Sequence, residues 1–164
     1  DSVRGQFNND TSLLDLLTQL YITQKRYGEA IPLLEQWRKL RLDDPPATIR
    51  LAAIHIERRQ FDQALRILDQ FLGQKPDNRP ARINRAICLL RMGRLDDSRR
   101  EYMGLLEKMP DEPRLHFGLG EIATRRQNTN EALTHFEKYL EHAPTNTTEY
   151  AEVSSRVQTM RGAR

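Results

Sequence analysis

The chain of 164 residues has one cysteine, Cys88. That excludes an internal disulfide and any cysteine-based zinc cluster. No apolar run approaches the roughly 18 residues that a membrane span needs; the longest is the short stretch Ile87-Cys88-Leu89-Leu90. There is no His-Glu-x-x-His, no Gly-rich phosphate loop and no Gly-x-Ser-x-Gly elbow, so an enzyme is the least supported class. Of the four histidines, His55 and His116 fall in apolar stripes and are expected to be buried, hydrogen-bonded side chains. His135 and His142 are seven residues apart, the wrong spacing for a metal pair on one helix turn. No metal and no cofactor is expected, and Cys88 is expected to be a buried structural thiol. A secretory signal and an initiator Met are missing as well. Asp1 therefore reads as a trimmed edge, with room for a targeting segment outside it, and the compartment stays open.

Charged residues make up 30% of the chain and hydrophobic residues 38%, a balance that predicts a soluble, folded domain rather than a disordered one. The net charge of +3 is modest, but its carriers are uneven: 21 Arg against 5 Lys. Arginine makes planar, bidentate contacts with carboxylate and phosphate, so its placement carries more information than the total.

A period of 34 residues organises the sequence. Ala30, Ala64, Ser98 and Ala132 are 34 apart, as are Thr18, Ala52, Ala86 and Gly120, and Pro76, Pro110 and Pro144. Such a period signals one supersecondary unit stacked on itself. Counting Thr11 as position 1 gives units at 11–44, 45–78, 79–112 and 113–146. Each unit splits into two apolar stripes at helical spacing. The first unit shows Leu13, Leu14, Leu17, Leu20 and Tyr21, then Tyr27, Ala30, Ile31, Leu34 and Trp37. Pro32 lies about one turn into the second helix, where it is tolerable but able to bend it. No β signal is present. Residues 147–164 read as a capping helix and tail, with Tyr150, Val153, Val157 and Met160 on one stripe. Residues 1–10 read as a disordered or inter-repeat lead-in.

These positions resemble the tetratricopeptide repeat family. The pattern has a small residue at 8, an aromatic or Leu near 11 and 24, an aromatic at 17, Ala at 20 and Pro at 32. Position 17 is Tyr27, Phe61, Leu95 and Thr129; position 24 is Leu34, Leu68, Tyr102 and Phe136. The departures are a missing Trp at position 4 and Leu42 in place of the first Pro. The resemblance implies an all-α, right-handed α-solenoid of four helix-turn-helix repeats plus a C-terminal cap, with first helices lining a concave side.

The same resemblance implies a partner-binding groove at positions 2, 5, 9, 12 and 13 and neighbouring places. Its candidate residues are Ile49, Ala53, Ile56, Ile83, Asn84, Ile87, Leu90, Arg91, Arg114, Phe117, Glu121 and Arg125. The middle of this groove is apolar, which suits a helix or extended segment of another protein. Some relatives hold a C-terminal carboxylate with a Lys and Asn clamp; here Ile49, Ala53 and Gly118 occupy clamp places, so tail binding of that kind is not expected. A second surface is a basic ridge at the turns between paired helices, carried by Arg26, Arg58, Arg59, Arg94 and Arg126. Helix dipoles favour cations there, and the ridge has no aromatics for base stacking, which argues against single-stranded nucleic acid. In the third unit Arg82, Arg85 and Arg99 take places where apolar residues are usual; an ion-pair cluster with Asp96 or Glu101 is expected, the alternative being that the outer face of this unit is itself an interface.

The expected function is a protein–protein interaction scaffold that binds a peptide or helix of a partner in the groove. Two alternatives stand beside it. One is a structural spacer or self-assembly module of a larger protein, with possible self-association. The other is a module binding an acidic partner or polyanion through the arginine ridge.

Overall fold

The computed structural model describes residues 10–41 and 44–162, all of the regular structure in them helical. The lead-in at 1–9, the Leu42 departure and Asp43 lie outside the described residues. Among the described residues nine helices follow in order: α1 (Thr11–Thr23), α2 (Tyr27–Leu40), α3 (Pro45–Glu57), α4 (Phe61–Gln74), α5 (Arg79–Arg91), α6 (Leu95–Leu106), α7 (Pro113–Arg125), α8 (Thr129–His142) and α9 (Thr148–Gly162). Most of the helix starts carry a recognisable signal. Asp10 accepts a hydrogen bond from the Ser12 amide at 2.8 Å, and Asn78 accepts one from the Ala81 amide at 3.0 Å. Pro45 and Pro113 occupy the first turns of α3 and α7, where a missing N–H costs nothing. Pro32 sits inside α2 without ending it. The carbonyl it leaves without an amide partner belongs to Gly28, which is exposed to water.

The turns inside the helix pairs share one backbone solution. Lys25, Arg59, Gly93 and Gln127 have φ of 57°, 59°, 78° and 59°, and they are spaced 34 apart. Each is the left-handed residue that closes a helix and lets the next begin, as in Arg26 N to Tyr21 O and Gln60 N to His55 O, both at 2.8 Å. Only Gly93 adopts this conformation without a steric cost.

The chain divides into two compact units, Asp1–Cys88 and Leu89–Arg164. In the first, α1 packs on α2, α2 on α3 and α3 on α4. Its core joins Leu14, Ala30, Leu34, Trp37, Ala47, Leu51 and Ile54. The Trp37 indole N–H donates to Asp44 at 2.8 Å, which satisfies the polar edge of a side chain only 4% exposed. In the second unit, α6 packs on α7, α7 on α8 and α8 on α9, around Ala123, Ala132, Leu133, Phe136, Tyr139, Val153 and Val157. Burying each Leu or Phe contributes about 1.5–3 kcal/mol. Val153 and Val157 face this core while Glu149, Glu152 and Thr159 are exposed, which is how α9 covers the end of α8.

Small residues mark the closest approaches. Thr18, Ala52 and Ala86 are fully buried. At Gly120 an added Cβ would lie 2.5 Å from the Phe136 ring, and at Gly118 it would lie 2.3 Å from Tyr102. Glycine at these two places lets aromatic rings sit against helix backbone.

Candidate functional site

The groove candidates fall into two sets, one in each unit. In the first unit, Ile49, Ala53 and Ile56 on α3 are half-buried, as are Asn84 and Ile87 on α5. Spacing of four and three residues places Ile49, Ala53 and Ile56 on one face of α3. Ala47, Leu51, Ala52 and Ile54 of the same helix are buried. Ile83 departs from the expectation of an open wall: it is 3% exposed and belongs to the core.

In the second unit the candidates are mostly engaged within the protein. Leu90 is 6% exposed and packed. Phe117 makes tilted ring contacts with Phe136 and Tyr139, at centroid distances of 6.2 and 5.7 Å; its size is used in packing. Glu121 accepts from Arg156 of α9, and the Arg156 guanidinium also lies 4.4 Å from the centre of the Phe136 ring. Arg125 donates to the Leu90 carbonyl at 2.6 Å, capping the last turn of α5. Arg114 donates to Glu112 at 2.7 Å and is exposed, as is Arg91. The inward charges of this unit thus tie its own helices together.

The ridge candidates divide in the same way. Arg58 and Arg59 in the first unit, with Lys25, are exposed and make no ion pair among the described residues. Arg26 pairs with Glu29 at 2.8 Å and its guanidinium lies 4.6 Å from the Tyr21 ring centre; this pairing holds the Glu29 carboxyl below its usual range. In the second unit Arg94 pairs with Asp97 at 2.7 Å and Arg126 pairs with Asp96. Asp97, held by Arg94 and Arg100, also stays below the usual carboxylate range.

Two of the out-of-place arginines have carboxylate partners outside 79–112. Arg85 pairs with Asp69 at 2.6 Å and Arg99 with Glu131, while Asp96 takes Arg126. Both of these pairs run from one helix pair to the next. Sequence reasoning looked at neighbours within the unit, whereas stacking brings together residues about one period apart. Arg50 with Asp15 and Arg156 with Glu121 are each 35 residues apart, and Arg99 with Glu131 is 32 apart. A search for opposite charges at that separation would have found all three.

No group of three His, Cys, Asp or Glu side chains among the described residues could hold a metal ion. Cys88 is fully buried, and burial pushes its thiol up to about 12, with Asp69 adding to the rise. Its thiolate, the reactive form, is therefore suppressed at neutral pH. No helix among the described residues is long and apolar enough to cross a membrane.

Paired helices joined by left-handed turns and repeated at a fixed period define an all-α repeat protein built as an α-solenoid. The sequence itself narrows that class. Family models described as tetratricopeptide repeat match residues 21–78 and 55–116, and a second such model matches 89–147. The chain belongs to the tetratricopeptide repeat family. No curated protein sequence matches it. Among solved structures it is similar to PilW, described as a widely conserved type IV pilus biogenesis factor. The identity there is 15% over 94% of this chain and 71% of that one, with a TM-score of 0.79. It is also similar to YrrB, described as a tetratricopeptide repeat protein with an unusual peptide-binding site, at 16% identity over 92% and 75% of the two chains and a TM-score of 0.72. A third is MamA from Desulfovibrio magneticus RS-1, at 14% identity over 93% and 96% and a TM-score of 0.72. At these identities the likeness is one of fold. Family and fold together make the protein a protein–protein interaction scaffold, of a kind that is generally non-catalytic.

Proposed function

We propose that the protein binds a peptide or helix of a partner along the apolar strip of the first unit, Ile49, Ala53 and Ile56 on α3 with Ile87 on α5. On this reading 11–44, 45–78, 79–112 and 113–146 are each one repeat and 147–164 is the cap. The observation that carries it is the half-exposure of this strip beside fully buried neighbours on the same helix. An apolar strip on an otherwise polar helix face suits the apolar side of an amphipathic segment. YrrB, with its peptide-binding site, supports the reading by analogy of fold alone.

The test is affinity capture from a lysate of the source organism, with wild type beside Ile49→Glu/Ile56→Glu. Circular dichroism and an unchanged melting temperature establish that the variant is folded. Ile83 is unsuited to this test, because a carboxylate at a site 3% exposed would unfold the unit. A protein captured by wild type and lost by the variant is the expected result. Equal capture by both removes the strip from the function.

A second reading rests on the free cations of the first unit. Lys25, Arg58 and Arg59 can meet an acidic partner, because no carboxylate among the described residues neutralises them. Affinity that falls steeply with added salt would favour this surface over the strip.

A further inference from the structure

One contact in the second unit is used by neither proposed surface. His116, on α7, is 6% exposed. Its Nε2 lies 2.7 Å from the Pro110 carbonyl oxygen, and its Nδ1 lies 3.2 Å from Nδ1 of His135 on α8. The proton positions follow from these partners. A carbonyl only accepts, so His116 carries its proton on Nε2 and donates it to Pro110. Its Nδ1 is then a lone pair, and His135 must donate Nδ1–H to it. With the metal alternative lacking a third donor among the described residues, one N–H···N bond accounts for the close approach.

We propose that the His116–His135 pair is a proton-sensitive latch, tying the segment between α6 and α7 to α7 and α8 at neutral pH and releasing it in acid. A proton added at the outer nitrogen of His135 leaves the N–H···N bond in place. If the first proton is taken at Nδ1 of His116 instead, His135 shifts to its Nε2–H form and accepts, so one N–H···N bond again survives; a second proton sets two N–H groups face to face, and the contact opens. The pair cannot hold both added protons and keep its geometry.

The surrounding carboxylates compensate the pair only in part, because most are already engaged. From α6 comes Arg99, which is bound to Glu131 of α8. Arg126, at the end of α7, is bound to Asp96 at the start of α6. On α8, Lys138 pairs with Glu141 at 2.6 Å, and His142 lies 3.5 Å from Asp111 of the 107–112 segment. Glu131, Asp96 and Glu141 thus each already face an Arg or Lys. Burial first, and then His116 and Arg99, hold the His135 pKa below the ordinary 6.5 despite Glu131. As pH falls through 6.5 the unfolded chain binds the proton first, so folded stability falls on acidification.

The test compares wild type with His135→Asn, whose amide can still donate to His116 but cannot titrate. Nitrogen-15 spectra of the imidazoles at pH 7.5 report the tautomers. Hydrogen exchange at Met109 and Glu112, amides bonded to Leu105 and Met109 carbonyls, reports the segment. The latch requires the Nε2–H tautomer for His116 and Nδ1–H for His135. It also requires exchange at 107–112 to speed up severalfold in wild type between pH 7.5 and 5.5, after correction for intrinsic rates. In the variant the acceleration should be largely absent. Nε2–H tautomers on both rings, or equal acceleration in both proteins, would overturn it. If His135→Asn fails to fold, the wild-type tautomers decide alone.

Discussion

The two units carry the same residue types at the same places in the repeat and use them differently. The turn cations Lys25, Arg58 and Arg59 of the first unit are exposed and free of ion pairs among the described residues, while Arg94, Arg125 and Arg126 of the second are each bound to an acceptor. The apolar inner residues follow suit: Ile49 and Ile56 stay half-open, whereas Phe117 stacks on Phe136 and Tyr139. A repeat pattern sets where a side chain emerges, and the neighbouring helices of the same unit decide whether it is consumed in packing or left for a partner. The free set is therefore the better guide to function, and the consumed set to stability.

The largest expected effect breaks the comparison at position 8. The first unit places Ala52 and Ala86 there, both fully buried, and the second places Gly120. Alanine is the better helix former by about 1 kcal/mol, yet at Gly120 its methyl would lie 2.5 Å from the Phe136 ring. Phe136 is fully buried and cannot swing aside. Gly120→Ala is expected to destabilise by about 1–3 kcal/mol, the cost of overpacking, measured by denaturant unfolding. Ala86→Leu should cost a similar amount. A stabilised Gly120→Ala would mean that the second unit has slack the geometry does not show.

A smaller effect of opposite sign is expected in the first unit. Thr48 is fully buried and its hydroxyl has no hydrogen-bond partner among the described residues. Thr48→Val keeps the shape and removes the orphaned hydroxyl, so it should stabilise by about 1 kcal/mol. An unchanged or lowered melting temperature would show that the hydroxyl is satisfied in solution.

These examples mark what was legible from the sequence and what was not. The helix pairs follow from stripes such as Leu51, Ile54, Ala64, Leu65 and Leu68, whose spacing repeats with the period. Burial at Ala30, Ala64 and Ala132 follows from small size at a repeated place. Ile83 and Leu90 were not separable from Ile49 and Ile56, because all four are apolar at groove positions and only the neighbouring helices decide which are covered. The partners of Arg85 and Arg99 were hidden for a related reason: helix stacking brings Asp69 and Glu131 to them from 16 and 32 residues away. The left-handed conformation at Lys25, Arg59 and Gln127 gave no local signal, since only Gly93 among the four is the residue that such a turn favours.

The cross-pair charges sharpen the comparison at lower cost. The Arg99 and Glu131 side chains are 33% and 24% exposed, and the guanidinium holds the Glu131 carboxyl below its usual range. A carboxyl depressed in the folded state stabilises above the unfolded pKa, near 4.5, and that stabilisation is lost as pH falls through the folded value. Arg99→Met should remove about 0.5–1 kcal/mol at neutral pH, after discount for solvent screening. It should also flatten the acid limb of the stability curve below pH 4.5. A loss that persists unchanged at low pH would assign the effect to lost packing of the arginine stem rather than to charge.

The smallest effect on stability is the most telling about function. Arg58→Gln/Arg59→Gln removes two charges that no described carboxylate meets, so the melting temperature should not move. Arg94→Gln/Arg126→Gln removes two that are already neutralised by Asp97 and Asp96, and should lower it slightly and in a salt-dependent way. Binding to heparin should show the reverse order. The first pair is free to displace counterions, so its loss should reduce the slope of log affinity against log salt by about 2, roughly one per cation. The second pair must first break its own bridges, so its loss should change the slope little. Equal slopes for both variants would show that the bound arginines exchange partners freely, and the division between an open unit and a spent one would then hold only for the apolar side chains.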